Sequence, residues 1–338
     1  MTRRGDTLLF DAPPTVAAWA AAGGKKESEG PLASAFDFVT QDAAFGEQGC
    51  ENWEQAESLL QRKAVELCLR KADIPRSKVD IAFAGDLQAQ CTASNYTMRE
   101  LGIPFAGVYG ACSTMAETLG LAAVFAAGGM AERVLALTSS HFCAAERQFR
   151  TPLEYGAKRT PTAQWTATAA GACLVRAHGS AGVSVLSVTF GRVQDFAVHD
   201  INNMGAAMMP AAASTLLRYF SATGTSPQDF DAIFTGDLGE VGTALLHEQM
   251  AKEGLPLDNH KDCGCLLYDT NSQNVQAGGS GAGCSAAVLC GKILPMLAAG
   301  QLRRVLFLAT GALMSQTTFL QGESIPGIAH CVELGGAI

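Results

Sequence analysis

The sequence predicts an α/β fold made of two similar halves in which strands alternate with helices. Two observations carry this expectation. Short apolar runs of strand length are separated by longer stretches of helical periodicity, the pattern of βα units. Three segments of the first half also recur, in the same order, in the second. Phe230-Asp231-Ala232-Ile233-Phe234-Thr235-Gly236-Asp237-Leu238 echoes Val79-Asp80-Ile81-Ala82-Phe83-Ala84-Gly85-Asp86-Leu87. Gly281-Ala282-Gly283-Cys284-Ser285 echoes Gly110-Ala111-Cys112-Ser113, and Arg304-Val305-Leu306-Phe307-Leu308 echoes Arg133-Val134-Leu135-Ala136-Leu137. The paired segments lie roughly 150 to 170 positions apart, too far for a solenoid, and read as an internal duplication. Coincidental likeness of short apolar strands is the alternative. The expected halves are residues 1–180 and 181–338.

The lead up to Asn52 is polar, contains glycines and offers few motifs. Asn52 then reads as a helix cap, with Gln55 completing a capping-box-like pattern. Ala56, Leu59, Leu60, Val65, Leu67 and Leu69 supply the apolar face, and the helix stops before Pro75. A strand at 79–84, a helix near 93–100 and a strand near 105–108 follow. The loop Gly110-Ala111-Cys112-Ser113 enters a long apolar helix running to about Met130, and 133–138 reads as a buried strand. In the second half, 243–252 reads as a helix carrying His247.

Of 338 residues, 48% are apolar and 17% charged, which permits a large core and argues against disorder. The net charge of −8, with no basic stripe, excludes nucleic acid as the main partner. The eleven cysteines are scattered, mostly in apolar runs, and read as reduced small hydrophobes. Cys263-Gly264-Cys265 lacks a second pair at zinc-site spacing, so no resident metal or cofactor is expected. Arg3 and Arg4 are not followed by a sustained apolar region before Pro13, so no signal peptide is expected. The longest apolar stretch, from Leu119 to Ala131, falls short of the ~20 residues a spanning helix needs. The expectation is a soluble protein, or one peripheral to a membrane.

A duplicated βα chain with a cysteine in a small-residue turn entering an apolar helix resembles the thiolase superfamily, which includes the ketoacyl synthases. It is most similar to one non-catalytic branch, the stage V sporulation protein AD family. The residues carrying that resemblance are Gly30-Pro31-Leu32, Ala84-Gly85-Asp86-Leu87, Ile103-Pro104-Phe105, and Gly110 through Thr118, which reads Gly-Ala-Cys-Ser-Thr-Met-Ala-Glu-Thr. They continue with Thr138-Ser139-Ser140-His141, Ala145-Glu146-Arg147-Gln148-Phe149-Arg150 and Glu154-Tyr155-Gly156. In the second half they are Thr235-Gly236-Asp237-Leu238, Asp262-Cys263-Gly264, Ala277-Gly278-Gly279-Ser280-Gly281 and Ser324-Ile325-Pro326-Gly327-Ile328-Ala329-His330. The resemblance implies a thiolase-like fold of α-β-α-β-α layers, two subunits paired through a strand edge as a homodimer, and Cys112 in the place of the catalytic nucleophile.

A cysteine at a helix N-terminus faces unpaired N–H groups and the positive end of the helix dipole, which favours the thiolate. The alternative is a small residue packed in a tight turn. Acyl transfer needs more: donors for the thioester oxygen and a partner for the carbanion. The resemblance implies a His or Asn for each, one near 236–239 and one in the loop around 278–283. Residues 231–243 and 276–291 contain neither, and Asp237 has the wrong sign beside a developing oxyanion. His141 follows a strand and lines the pocket or caps a helix. His330 lies where thiolases carry their second cysteine, but Glu333 takes the glycine place of their Cys-x-Gly pattern. His178, His199 and His260 carry no signal.

Without the catalytic partners a binding site remains, since a helix N-terminus opened by small residues attracts carboxylates. The turn at Cys112, Ser113 and Thr114 is expected to face the loop at Gly281, Gly283 and Cys284, with His141 and Arg147 nearby. Arg147 and Arg150 either meet a carboxylate, brace an interface or form surface ion pairs. The resemblance implies dipicolinic acid (pyridine-2,6-dicarboxylate) as the ligand, with Ca2+ entering only as part of its chelate. It also implies a role in uptake into the forespore, at the spore inner membrane, beside other membrane proteins of the stage V sporulation A operon. Two rival readings are an active acyltransferase using Cys112, and an assembly subunit with a vestigial pocket.

Overall fold

The computed structural model describes residues 1–42, 44–149, 159–177 and 181–336. Arg150, Glu154-Tyr155-Gly156 and His178 lie outside the described residues, as does the boundary position 180.

Ten strands set the frame. In chain order they are β1 (Thr15–Gly23), β2 (Ile81–Gly85), β3 (Phe105–Gly107), β4 (Arg133–Ser140) and β5 (Ala169–Arg176). They continue as β6 (Val183–Thr189), β7 (Ala232–Thr235), β8 (His260–Asp262), β9 (Arg304–Ala312) and β10 (Gly327–Gly335). The first five lie side by side as β1-β5-β4-β2-β3, and the second five repeat that order as β6-β10-β9-β7-β8. The sense of each pairing repeats too: β2 runs parallel to β3 and β4, and β7 runs parallel to β8 and β9. The pairs nearer the junction, β4–β5, β5–β1, β9–β10 and β10–β6, are antiparallel. Antiparallel pairing of Val183 with Val16 and of Ser184 with Thr15 joins the halves.

Helices α1 (Trp53–Lys71), α2 (Thr92–Leu101), α3 (Thr114–Ala127) and α4 (Phe142–Phe149) belong to the first half. Helices α5 (Met204–Thr223), α6 (Gly239–Lys252), α7 (Cys263–Leu267) and α8 (Ala282–Val288) belong to the second. Met115, Leu119, Cys284 and Val288 of α3 and α8 share one core with strand residues of both halves, including Val134, Val175, Phe307 and Val332. Outside it, Leu60 and Val65 of α1 pack on Leu135 and Leu174, and Leu216 and Tyr219 of α5 pack on Leu306 and Leu308. This is the layered α-β-α-β-α arrangement. Strands covered on both faces explain why they read as unbroken apolar runs.

Local chemistry explains the element ends. Asn52 Oδ1 accepts from Gln55 N at 2.9 Å, while Gln55 Oε1 accepts from Glu51 N at 2.7 Å. The reciprocal bond thus reaches one residue further back than a standard capping box. The helix entered from the Cys112 turn ends at Ala127, short of the expected Met130, where Gly128 and Gly129 follow. The lead before Asn52 holds the one large surprise: Thr15–Gly23 is a buried strand at the junction of the two half-sheets. Its Ala-rich sequence has little strand propensity and no alternation, so periodicity could not reveal it.

A polar network is buried under α1. Glu57 accepts from Ser139 Oγ at 2.7 Å and from Gln88 Nε2 at 2.6 Å, and Asp86 accepts from Ser94 N and Oγ at 2.8 and 2.7 Å. Burial, reinforced by the neighbouring Asp86 carboxylate, pushes the Glu57 pKa from 4.5 up to about 8. Folding therefore favours the protonated acid. This contribution is intact below pH 4.5 and is lost as pH rises towards 8, with a slope of about 1.4 kcal/mol per pH unit. Urea unfolding across that window should show the decline, and Glu57→Gln should flatten it. An unchanged pH slope in the variant would contradict this assignment.

Candidate functional site

The site is built around the turn that follows β3. Ala111 takes a left-handed φ of 51°, and residues 111–113 form one tight turn before α3 begins. Ser113 Oγ donates to Gly110 O at 2.6 Å, and Thr114 Oγ1 donates to Ala111 O at 2.7 Å. Both hydroxyls hold the turn closed, and Cys112, beside Ala111, faces open space. Gly311 of β9 lets the turn come close, since a Cβ there would strike Gly110 O.

Opposite Cys112 lies the glycine-rich loop, with Sγ 4.0 Å from Ser280 Oγ. The loop is tied down by Asp237, just beyond β7. Asp237 Oδ2 accepts from Ser280 Oγ at 3.1 Å and from Gly281 N at 2.9 Å, while Oδ1 accepts from Thr310 Oγ1 at 2.9 Å. Gly281 needs to be glycine: its φ is +99°, and a Cβ would stand 2.7 Å from Ser140 Oγ. Gly283 N donates to the same hydroxyl at 3.1 Å, and Cys284 is buried in the central core. Gly281, Gly283 and Cys284 therefore shape and support the loop, and Ser280 forms its face.

Electrostatics here runs against a reactive thiol. Burial pushes the Asp237 pKa up to about 7. Burial first, and then the Asp237 carboxylate, push the Cys112 thiol well above its ordinary value. The helix field, which favoured a thiolate in the sequence reading, is outweighed by desolvation and a facing negative group.

A cavity of about 130 Å³ opens on Cys112. A single water needs only about 10–15 Å³, so there is room for a small organic molecule. Tyr109, Glu146, Arg159, Gln164, Asn202 and Ser280 supply its polar wall, and Leu87, Phe149, Met204, Met208 and Met314 much of the apolar one. Arg159 is the cation that sequence reasoning missed. It is 11% exposed, pairs with Glu146 at 2.8 Å and donates to Gln164 O at 2.8 Å. Its guanidinium lies 5.2 Å from the Phe142 ring and 4.9 Å from the Trp165 ring, and those rings stack 3.9 Å apart. Gln164 Nε2 donates to Asp237 O and Gly279 O at 2.8 and 2.7 Å. Its Oε1 is buried with no hydrogen-bond partner among the described residues.

Other candidates fall elsewhere. His141 accepts from Ala144 N at 3.5 Å, packs against Phe45 and is not in the cavity wall. Arg147 pairs with Glu54 and lies over Trp53, half-exposed on the outside of the protein. His330 is buried against Phe190, where it accepts from Gly191 N at 3.1 Å. His247 and His260 bond to each other at 3.0 Å. Among the described residues no group of three or more His, Cys, Asp or Glu is placed to hold a metal ion.

Residues 4–335 match the family described as Stage V sporulation protein AD (SpoVAD). The chain belongs to that family. It is 42% identical over 337 residues to the Stage V sporulation protein AD of Bacillus subtilis (strain 168), covering 98% of each chain. Among solved structures it resembles 3-oxoacyl-[acyl-carrier-protein] synthase III from Aquifex aeolicus VF5, with a TM-score of 0.58 at 12% identity. That match covers 95% of this chain and 99% of the other. Cerulenin-bound OleA of Xanthomonas campestris gives a TM-score of 0.58 at 14% identity over 99% of this chain and 100% of the other. The family is thus a sporulation family on a thiolase-like fold.

If Asp237 holds Cys112 protonated, Asp237→Asn should speed iodoacetamide alkylation of Cys112 near pH 8 by about tenfold, the effect of one pKa unit on thiolate population. Equal rates, followed by peptide mass, would contradict that coupling.

Proposed function

We propose that this protein binds dipicolinic acid, or its calcium chelate, in the cavity beside Cys112 for uptake into the developing spore, and that it does not transfer acyl groups. The observation that carries the reading is Asp237. Where acyl transfer needs hydrogen-bond donors for a thioester oxygen, a buried carboxyl faces the thiol through Ser280. A thiol kept protonated donates a hydrogen bond and makes a poor nucleophile.

Arg159 supports a carboxylate ligand. Its planar fork suits bidentate contact, and the stacked Phe142 and Trp165 hold it in place. Its pairing with Glu146 leaves no surplus positive charge on the cavity wall among the described residues. Charge balance therefore favours a neutral calcium chelate over the free dianion. Gln164 Oε1 adds an acceptor for a bound water or cation.

Two further family expectations belong to the same proposal. The free edge of β3 is the candidate seam of a homodimer, with Tyr109 exposed just beyond the strand. No described helix is long and apolar enough to cross a membrane, so transport requires membrane partners, for which the proteins of the same sporulation operon are the candidates.

Titration calorimetry of dipicolinate, alone and with equimolar calcium, tests the binding claim. The expected result is saturable binding, tighter with calcium, and weakened about tenfold or more by Arg159→Ala, the loss of a charge-assisted pair. Heat that never saturates, or affinity indifferent to Arg159, would remove the ligand from this cavity.

A further inference from the structure

A second depression, of about 680 Å³, lies on the outer face of α5. Met209, Pro210, Ala213 and Leu217 form its apolar floor. Arg192 and Arg218 stand on its rim, bonded to the two oxygens of Asp6 at 3.0 and 3.1 Å. One carboxylate between two guanidiniums leaves each with donors to spare for another anion. Of the acids nearby, Asp6 is held by the two arginines, Asp195 accepts from Ser324 Oγ at 2.5 Å and Ala197 N at 2.9 Å, and Glu253 accepts from the lining residue Gln249 at 3.0 Å. In a chain of net charge −8, the lining of this depression carries two arginines against one carboxylate, Asp6.

Beside the rim, apolar side chains are displayed to solvent. Phe196 is 68% exposed and Val193 53% exposed. The loop carrying them is anchored, not loose: Gln194 exchanges backbone bonds with Gly327 at 2.8 and 2.7 Å. Ala197 adopts a left-handed φ of 55°, a conformation disfavoured for an alanine, immediately after Phe196. The turn thus holds an aromatic ring outward next to an arginine rim.

We infer that this face docks on an anionic phospholipid surface, with a headgroup phosphate received between Arg192 and Arg218 and Phe196 and Val193 entering the interfacial layer. Arginine rims attract anionic headgroups within a Debye length, and aromatic rings favour the membrane–water interface. The site is separate from the Cys112 cavity: the two share no lining residue.

Co-sedimentation of the full chain with vesicles tests the inference. It should bind mixed phosphatidylglycerol–phosphatidylcholine vesicles, release at high salt, and ignore pure phosphatidylcholine. Arg192→Glu and, separately, Phe196→Ser should each lower binding about fivefold. Both positions are largely exposed, and an unchanged thermal unfolding profile certifies the fold. No binding to the anionic vesicles, equal binding to both kinds, or variants that bind like the parent would overturn it. So would saturation by inorganic phosphate without vesicle binding, which marks a free-anion site.

Discussion

The Asp237 carboxyl organises the site. It receives Ser280 and Gly281 from the glycine-rich loop and Thr310 from β9, and it faces Cys112 across that loop. Segments far apart in sequence are fixed by one buried group, and that group adds to burial in raising the pKa of the thiol. A buried carboxyl is tolerated because its oxygens are bonded, and it raises the pKa of every acid near it. The same group that ties down the loop therefore also pushes the Cys112 thiol upward, beyond the effect of burial.

The frame that brings these pieces together is the repeated strand order. β2, β4, β7 and β9 end where the loops of the site begin, as strand ends do in layered α/β folds. The repetition supports the duplicated halves, 1–180 and 181–338, that we propose from the sequence echoes. Small residues permit the close approach: Gly311 against Gly110 brings β9 to the Cys112 turn, and Gly281 against Ser140 brings the loop to β4.

Much of this was legible in the sequence because it rests on local chemistry. Asn52, the apolar face of α1 and the Cys112 turn are specified by neighbours a few residues away. The missing His and Asn, and the sign of Asp237, needed only residue identity once the resemblance was drawn. What escaped depends on tertiary direction. The strand Thr15–Gly23 is a strand because it is sandwiched between β5 and β6, not because alanine prefers that state. Arg147 sits in a distinctive motif yet turns outward to Glu54, whereas Arg159, in an unremarkable stretch, turns in beside the stacked Phe142 and Trp165 rings. Side-chain direction at these positions is set by which helix packs beside them, and no spacing rule records that. For His141 the sequence left two readings, pocket wall or helix cap, and the ring lies at the start of α4, accepting from Ala144 N.

The central claim is that a nucleophile's position has become a receptor's. The direct measurement is intact mass of the protein after incubation with a panel of acyl-CoA thioesters. The account predicts an unmodified mass across the panel, with Cys112 still free to an alkylating agent after unfolding. A stoichiometric acyl adduct, absent from Cys112→Ala, would contradict it and return the protein to the acyltransferases.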